Sequence, residues 1–496
     1  MKAQIGTLSK RTAKAGAWTA GARLAGKAVD FVALIVLARF LGPSDFGLVA
    51  MAMTLIFIVE AIMELPLAAA MLRVPAPGPD VYSTAFTLGL LRGLIIAGFF
   101  VLCAWPLSYF YGEPRLVPLV MSLALAPAMR GCVSPMMVEY NRQMDFRRQA
   151  GLDVASKFIA ITAAIVMAIV TRSYWSIAVG TVLVPLVSLV GSYVLAPMRP
   201  RLTLKEWPIF VDILTWNLMS QILSALNWQV DRLVLPRFIP PAAFGRYAMA
   251  NDLSALPFQV LSAPLATPLN VAFVTAHQNG GLDKTYLKAC VGIFLLMAPV
   301  LCFGGIMAEP LVRTFLGAQW AEAAPVLTGL ALASIGSIPA LPMAPLAVSL
   351  NQSRQITLRN LIECAVRVPL TIVAVLAAGV LGAVIAKSVA TLAVLVSTMM
   401  AVRSMIGISL RTQFVALAGP AAALLISGTP LAYVATLIHA DGDIVMNLLR
   451  LAAAGILYVL TYVVAVYVIS LRFGDVTGIG TLLNTIAARA VVRLKA

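Results

Sequence analysis

Charge is scarce in this sequence: Asp, Glu, Lys and Arg make up 11% of its 496 residues, whereas a soluble globular chain carries about a quarter. That deficit excludes a water-soluble fold and leaves a bilayer as the solvent for most of the chain. Histidine is nearly absent, with His277 and His439 both in apparent loops, which argues against a His-based metal site. The cysteines Cys103, Cys132, Cys290, Cys302 and Cys364 stand singly within or beside apolar runs, with no CxxC spacing. They read as small buried hydrophobes, not as disulfides or metal ligands. No GxxxxGK[ST] phosphate loop, no HExxH and no nucleophile–base pair occurs, so nothing supports an ATP-driven pump or a membrane enzyme. No metal or cofactor is expected. No cleavable signal peptide is evident, and the first apolar run, after Lys10, Arg11 and Lys14, reads as a retained first span.

What is abundant is apolar. Hydrophobic residues make up 61% of the chain, and the mean hydropathy is +0.95. Runs of about 20 residues or more suit helices, not the roughly ten-residue alternating strands of a membrane barrel. They fall at 15–41, 46–70, 83–111, 115–139, 152–170, 173–195, 210–236, 244–275, 286–308, 322–350, 358–378, 380–402, 414–438 and 444–471. The expected class is therefore an all-α polytopic membrane protein with about 14 transmembrane helices. Tight turns near Arg172 and Gly379 decide whether their neighbouring runs count as one span or two.

The net charge of +16, from 36 Lys+Arg against 20 Asp+Glu, admits two readings: a polyanionic partner such as nucleic acid, or the excess of basic residues in cytoplasmic loops that orients helices. The loops favour the second. Lys2, Lys10, Arg11, Lys14, Arg73, Arg142, Arg147, Arg148, Arg199, Arg201, Lys205, Lys284, Lys288, Arg354, Arg359, Arg403, Arg411, Arg472, Arg489, Arg493 and Lys495 fall on one side of a fourteen-span count. Arg39, Arg115, Arg172, Arg237 and Arg313 fall on the other. Twenty-one against five places both termini in the cytoplasm, with no nucleic-acid partner expected.

One turn is stated twice. Residues 39–52 read RFLGPSDFGLVAMA and residues 237–250 read RFIPPAAFGRYAMA, identical at eight of fourteen positions with an offset of 198. Each copy carries an apolar run into a proline-bearing reversal, since proline cannot donate the next helical hydrogen bond. Two related halves follow, in parallel orientation because the offset is six helices. The expected organisation is a six-helix bundle at 1–195, a basic proline-bearing linker at 196–209, and a second six-helix bundle at 210–402. A further helix pair at 403–471 and an amphipathic tail at 472–496 complete it. The tail has its apolar residues at helical spacing among Arg489, Arg493 and Lys495, which suits either the anionic inner leaflet or docking on the bundle.

Ionisable residues inside spans are costly and usually face an interior. Spans 1 and 2 are antiparallel about a turn near residue 43, which sets Lys27 level with Glu60 and Arg23 level with Glu64. Lys27, Asp30, Glu60 and Glu64 then read as a self-neutralising cluster with Arg23 at its edge. Asp153/Lys157 and Glu363/Arg367 are spaced for pairing along one helix face. Internal ion pairing is one reading of these sets; roles for Arg23, Lys27 and Arg367 in holding an anion, and for Glu60, Glu64 and Asp30 in coupling an ion, are the other. Arg92 and Arg130 share a depth in the inner half, and neither has a local acidic partner. An anionic ligand suits the planar guanidinium fork, with Glu139 as the competing structural partner. Lys387 is a further cationic candidate on the outer side.

The seventh run is polar for its setting, with Asn217, Gln221, Asn227, Gln229 and Asp231, and the eighth opens with Arg246, Asn251 and Asp252. Asn217 and Gln221 could bond sugar hydroxyls, or simply bond neighbouring helices. Trp18, Trp105, Trp175, Trp216, Trp228 and Trp320 mostly fall near span ends, where an interfacial anchor is the default over sugar stacking.

The opening LSKRTAKAGAWTAGARLAGKAVDFVALIVLARFLGPSDFGLVAMA resembles the start of bacterial polysaccharide transporters, the O-antigen and exopolysaccharide flippases of the multidrug/oligosaccharidyl-lipid/polysaccharide exporter superfamily. Gly16 and Trp18 stand close together, and the span ends in the LARxLGPxDFG pattern. The stretch QVDRLVLPRFIPPAAFGRYAMA resembles the family's DRxxLxxxxxxxxxGxY element through Asp231, Arg232, Gly245 and Tyr247, although Pro240 replaces the glycine before Pro241. The resemblance implies two pseudo-symmetric six-helix bundles around a central cavity, plus a C-terminal helix pair. It implies movement of an undecaprenyl-diphosphate-linked oligosaccharide across the bacterial cytoplasmic (inner) membrane; a monomer among membrane lipids is expected, with a polysaccharide polymerase as a candidate partner and with Na⁺, H⁺ or membrane potential left open as the driving force. A cation-coupled multidrug exporter and a lipid-linked peptidoglycan precursor flippase are the alternatives.

Overall fold

Apolar side chains with few charges leave the backbone as the only polar group in these segments, and a helix satisfies it internally. The computed structural model describes residues 21, 25–143, 145–438 and 443–473, with side chains at all of these except 211–221, 263, 472 and 473. Gly16, Trp18, Arg23, His439 and nearly all of the expected tail at 472–496 lie outside the described residues. The described residues form helices joined by short turns, with no strand among them.

Eight helices are long and apolar enough to cross a membrane, or up to eleven if each of three bent pairs is one span. One of the eight, Arg354–Ile406, has 53 residues, about 80 Å at 1.5 Å per residue and far more than the ~30 Å hydrocarbon core. It is two helices in one. Ala378 and Gly379 leave helical geometry, Gly379 with φ 53°, and a Cβ on Gly382 would run into the Ala374 carbonyl. Residues eight apart touch only if the chain doubles back, as the sequence expects near Gly379.

The chain divides into two compact units, Met1–Gly245 and Arg246–Ala496. The first contains α1 (25–40), α2 (Pro43–Ile62), α3 (Leu67–Arg73), α4 (Pro79–Tyr111), α5 (Leu116–Leu123), α6 (Leu125–Gly131), α7 (Val138–Arg142), α8 (Arg147–Thr171), α9 (Trp175–Leu195) and α10 (Pro208–Val234), and the first residues of α11 (Pro241–Asn279). Within it α8 packs on α9, α4 on α5 and α6, and α2 on α10. The rest of α11 belongs to the second unit, with α12 (Leu282–Ile306), α13 (Ala308–Phe315), α14 (Ala324–Ile335), α15 (Met343–Ser349), α16 (Arg354–Ile406), α17 (Leu410–Leu437) and α18 (Ile444–Phe473). One of its cores joins Phe294, Met297, Leu301 and Ile338 to Leu424, Leu431, Tyr458 and Tyr462.

Several spans read as continuous from sequence are broken. The second leaves helical geometry at residues 63–66, before Pro66, and resumes as α3. The fourth bends by 57° between Leu116–Gly131 and Pro135–Arg142, and the tenth by 41° between Ala318–Ile335 and Ile338–Ser349. Proline stands at or just after each break, where its missing N–H and the restriction it imposes on the preceding residue interrupt the ladder. Periodicity cannot register this, because the apolar pattern runs through.

In both copies of the repeated turn the proline starts the next helix, at Pro43 and Pro241. That is the position where a fixed φ and a missing donor cost nothing. The two copies also meet inside the first unit. A Cβ on Gly47 would strike the Pro241 carbonyl, and one on Gly245 would strike the Pro43 carbonyl. The contact is reciprocal and backbone to backbone, so only glycine fits at either position. Gly47→Val or Gly245→Val should lower the midpoint of thermal unfolding in detergent by about 5 °C or more. Gly98→Val, whose Cβ would meet nothing within 4 Å, should leave it unchanged.

Candidate functional site

The charged residues of the first unit are brought together by glycine. Gly89 and Gly93 of α4 face Gly131 and Pro127 of α6 so closely that a Cβ on Gly89 would sit 2.8 Å from the Gly131 carbonyl oxygen. A Cβ on Gly93 would sit 2.7 Å from that of Pro127. Small residues let the two backbones touch, as in other membrane helix pairs. Arg92 and Arg130, each next to one of these glycines in sequence, are thereby carried to the same carboxylate-bearing element, the end of α2.

Glu60 lies in the last turn of α2, with its side chain 17% exposed. Arg130 Nη1 donates to both of its carboxylate oxygens. Arg92 Nη2 donates to the Glu60 backbone carbonyl at 3.2 Å. That carbonyl is available because of the break in α2. The Glu64 amide, which would bond it in a continuing helix, turns to the Ala61 carbonyl at 3.4 Å. Helix ends leave carbonyls unsatisfied, and in hydrocarbon such a group must find a donor within the protein. Glu64 lies in the break itself, and its carboxylate, like that of Glu60, is within coulombic reach of Arg92. Two guanidinium groups and two carboxylates thus share one locality.

The arrangement can exchange anions. Arg130 keeps 42% of its side chain exposed, so part of its donor fork points away from Glu60. The buried Arg92 Nε has no hydrogen-bond partner. A guanidinium fork with spare donors is suited to phosphate or carboxylate oxygens.

Other candidates are placed elsewhere. Asp30 of α1 does not join Glu60; it accepts from Lys157 of α8 at 2.6 Å. Lys157 thus crosses between helices to Asp30, where the sequence paired it with Asp153 one turn away. Lys27 is half-buried on α1, three residues before Asp30. Glu139, expected to compete for Arg92 and Arg130, accepts instead from the Tyr82 hydroxyl and from Arg142 Nε. Arg142 also donates to the carbonyls of Met71 at 2.8 Å, Val74 at 2.7 Å and Pro75 at 3.0 Å, closing the end of α3. In the second unit Glu363 has Arg367 at 3.6 Å, the pair read from sequence, and Arg359 at 3.6 Å on its other side. Lys387 Nζ donates to Asn251 Oδ1 at 2.7 Å. Asn227, Asp231 and Arg232 of α10 are buried. Asn217 and Gln221 lie on the same helix, with side chains outside the described set, and Arg23 lies outside the described residues.

The Glu60–Arg130 pair was missed from sequence because depth-matching compares only neighbouring helices of a hairpin. Gly89, Gly93 and Gly131 were the available signal. Among the described residues no group of three His, Cys, Asp or Glu side chains is placed to hold a metal ion.

Comparison with known proteins places the chain in a family. The chain is 27% identical over 324 residues to the succinoglycan biosynthesis transport protein ExoT of Rhizobium meliloti (strain 1021), covering 64% of each chain. It is 21% identical over 330 residues to the lipopolysaccharide biosynthesis protein WzxC of Escherichia coli (strain K12), covering 65% of this chain and 66% of that one. The matched stretch thus spans just under two thirds of these relatives' length. Among solved structures, lipid II flippase MurJ in an inward closed conformation superposes with a TM-score of 0.70 at 13% identity, over 92% of this chain and 98% of that one. An inward-facing multidrug resistance MATE family transporter of the MOP superfamily gives 0.61 at 16% identity, over 79% and 99%. These two likenesses show a shared helical fold. The sequence profile of the polysaccharide biosynthesis proteins matches residues 36–325, more than half of the chain, and this multi-pass membrane protein belongs to that family.

Proposed function

We propose that the chain is a flippase that carries an undecaprenyl-diphosphate-linked oligosaccharide repeat unit across the bacterial cytoplasmic membrane for surface polysaccharide synthesis. In this reading fourteen helices span the membrane with both termini in the cytoplasm, and two six-helix halves alternate access to a cationic interior. Family membership and the transport and biosynthesis roles named for its relatives support the reading. The observation that carries it is the meeting of Arg92 and Arg130 at Glu60.

The chemistry follows from charge. With no cargo, Glu60 neutralises Arg130, since an uncompensated guanidinium in hydrocarbon is costly. A diphosphate brings more negative charge and more acceptor oxygens than one carboxylate, so it can displace Glu60 and take the spare donors of both arginines. Glu60 released in this way is free to take a proton or Na⁺; Glu64 and Asp30 are the further coupling candidates. Arg23, Lys27 and Arg367 would hold further anionic groups, and Asn217 and Gln221 would meet sugar hydroxyls. A multidrug exporter would need unpaired interior carboxylates. Arg130 on Glu60 and Lys157 on Asp30 count against that alternative.

Two outcomes are expected. Arg92→Ala combined with Arg130→Ala should abolish surface polysaccharide in a complemented deletion strain while membrane levels of the protein stay unchanged; normal polymer would remove both residues from the site. Glu60→Gln, which takes away the competing charge, should tighten binding of farnesyl diphosphate by purified protein by about tenfold, the effect of roughly 1.4 kcal/mol. Unchanged affinity would show that Glu60 does not compete with the anion.

A further inference from the structure

The segment joining α9 to α10 is strapped to the first unit by its backbone. The Thr203 amide donates to Thr87 Oγ1 at 3.0 Å, and the Glu206 amide donates to Thr84 Oγ1 at 3.3 Å. Both threonines are buried residues of α4. Lys205 Nζ donates to Asp80 at 2.9 Å. Upstream, Ser134 Oγ donates to the Ala196 carbonyl at 2.8 Å and the Tyr140 hydroxyl to that of Leu195 at 2.6 Å. Downstream, Phe210 is buried with Met71, Tyr82 and Val138. The segment is thus fixed before, along and after its length.

Its side chains face the other way. Leu202 is 74% exposed, Leu204 45% and Trp207 53%, and the exposed Arg199, Arg201 and Lys205 stand among them. Against these cations the segment holds one acidic residue, Glu206, and Asp80 on α4 is engaged by Lys205. Large apolar chains interleaved with basic ones suit neither water nor hydrocarbon; they suit the headgroup region, where both are satisfied.

Depth agrees. Helix α4 has 33 residues, about 50 Å, against a hydrocarbon core of about 30 Å. A helix of that length leaves about 10 Å of each end among the headgroups. Thr84 and Thr87 lie five and eight residues beyond Pro79, about 7 and 12 Å along the axis. With α4 centred across the hydrocarbon, the strap crosses it at the boundary between headgroups and hydrocarbon, on the side where the sequence expects the excess of Lys and Arg.

We propose that residues 199–207 form a docking surface for anionic phospholipid headgroups, with Arg199 and Arg201 meeting phosphate while Leu202, Leu204 and Trp207 enter the upper acyl region. The surface is independent of the cargo. Its consequence is positional: the strap grips α4 at Thr87, five residues before Arg92, and fixes the depth of that guanidinium in the bilayer. The Thr203 and Glu206 amides are already used, which leaves fewer backbone donors for pairing with another protein strand.

The test uses full-length protein in nanodiscs of mixed phosphatidylglycerol and phosphatidylcholine, with no lipid-linked diphosphate present and one lipid brominated at a time. Subtracting the emission of Trp207→Phe isolates that indole. Brominated phosphatidylglycerol should quench it at least twofold more than brominated phosphatidylcholine at equal mole fraction. Arg199→Gln with Arg201→Gln should remove the difference without changing the unfolding midpoint. Equal quenching by the two lipids would overturn the proposal. So would quenching by aqueous iodide alone, which would place the strap in water or against a protein.

Discussion

Backbone against backbone at glycine is the contact on which the rest of the first unit depends. Lipid tails are as apolar as leucine, so burying leucine gives membrane helices little reason to associate; close approach does. Gly89 and Gly93 against Gly131 and Pro127 set α4 on α6, and Gly47 against Pro241 sets one copy of the repeated turn on the other. The positions of Arg92 and Arg130 follow from the first of these contacts. A side chain larger than hydrogen there would push α4 and α6 apart and alter the spacing of the two guanidinium groups.

The second constraint is the cost of polar groups in hydrocarbon. The break at residues 63–66 frees the Glu60 carbonyl, and Arg92 takes it. Arg130 takes the carboxylate, Lys157 takes Asp30, and Arg142 gathers three carbonyls at the end of α3. An arginine can therefore close a helix end as well as bind an anion. Exposure separates the two uses: Arg142, with 23% of its side chain exposed, is engaged on all sides, whereas Arg130, at 42%, retains donors facing outward.

Much of the fold was legible because the bilayer allows so few solutions. Low charge and long apolar runs lead to helices, a proline in a repeated turn leads to a reversal, and Gly379 marks the fold-back within Arg354–Ile406. The Glu363–Arg367 pair was legible too, since both residues belong to one helix and the spacing alone brings them together. The interruptions at residues 63–66 and after Gly131 were not, because hydropathy is insensitive to a local loss of backbone hydrogen bonds.

Sequence by itself determined the class of the molecule, its twice-stated turn and its membership among the polysaccharide biosynthesis proteins, because these depend on composition and on residues near one another in the chain. Which charge meets which was decided only in three dimensions. Glu60 and Arg130 are 70 positions apart, and Asp30 and Lys157 are 127 apart. Matching residues by depth within a hairpin cannot find such partners, since ion pairing is settled by which helices touch, and helices far apart in the chain are brought together only by the fold.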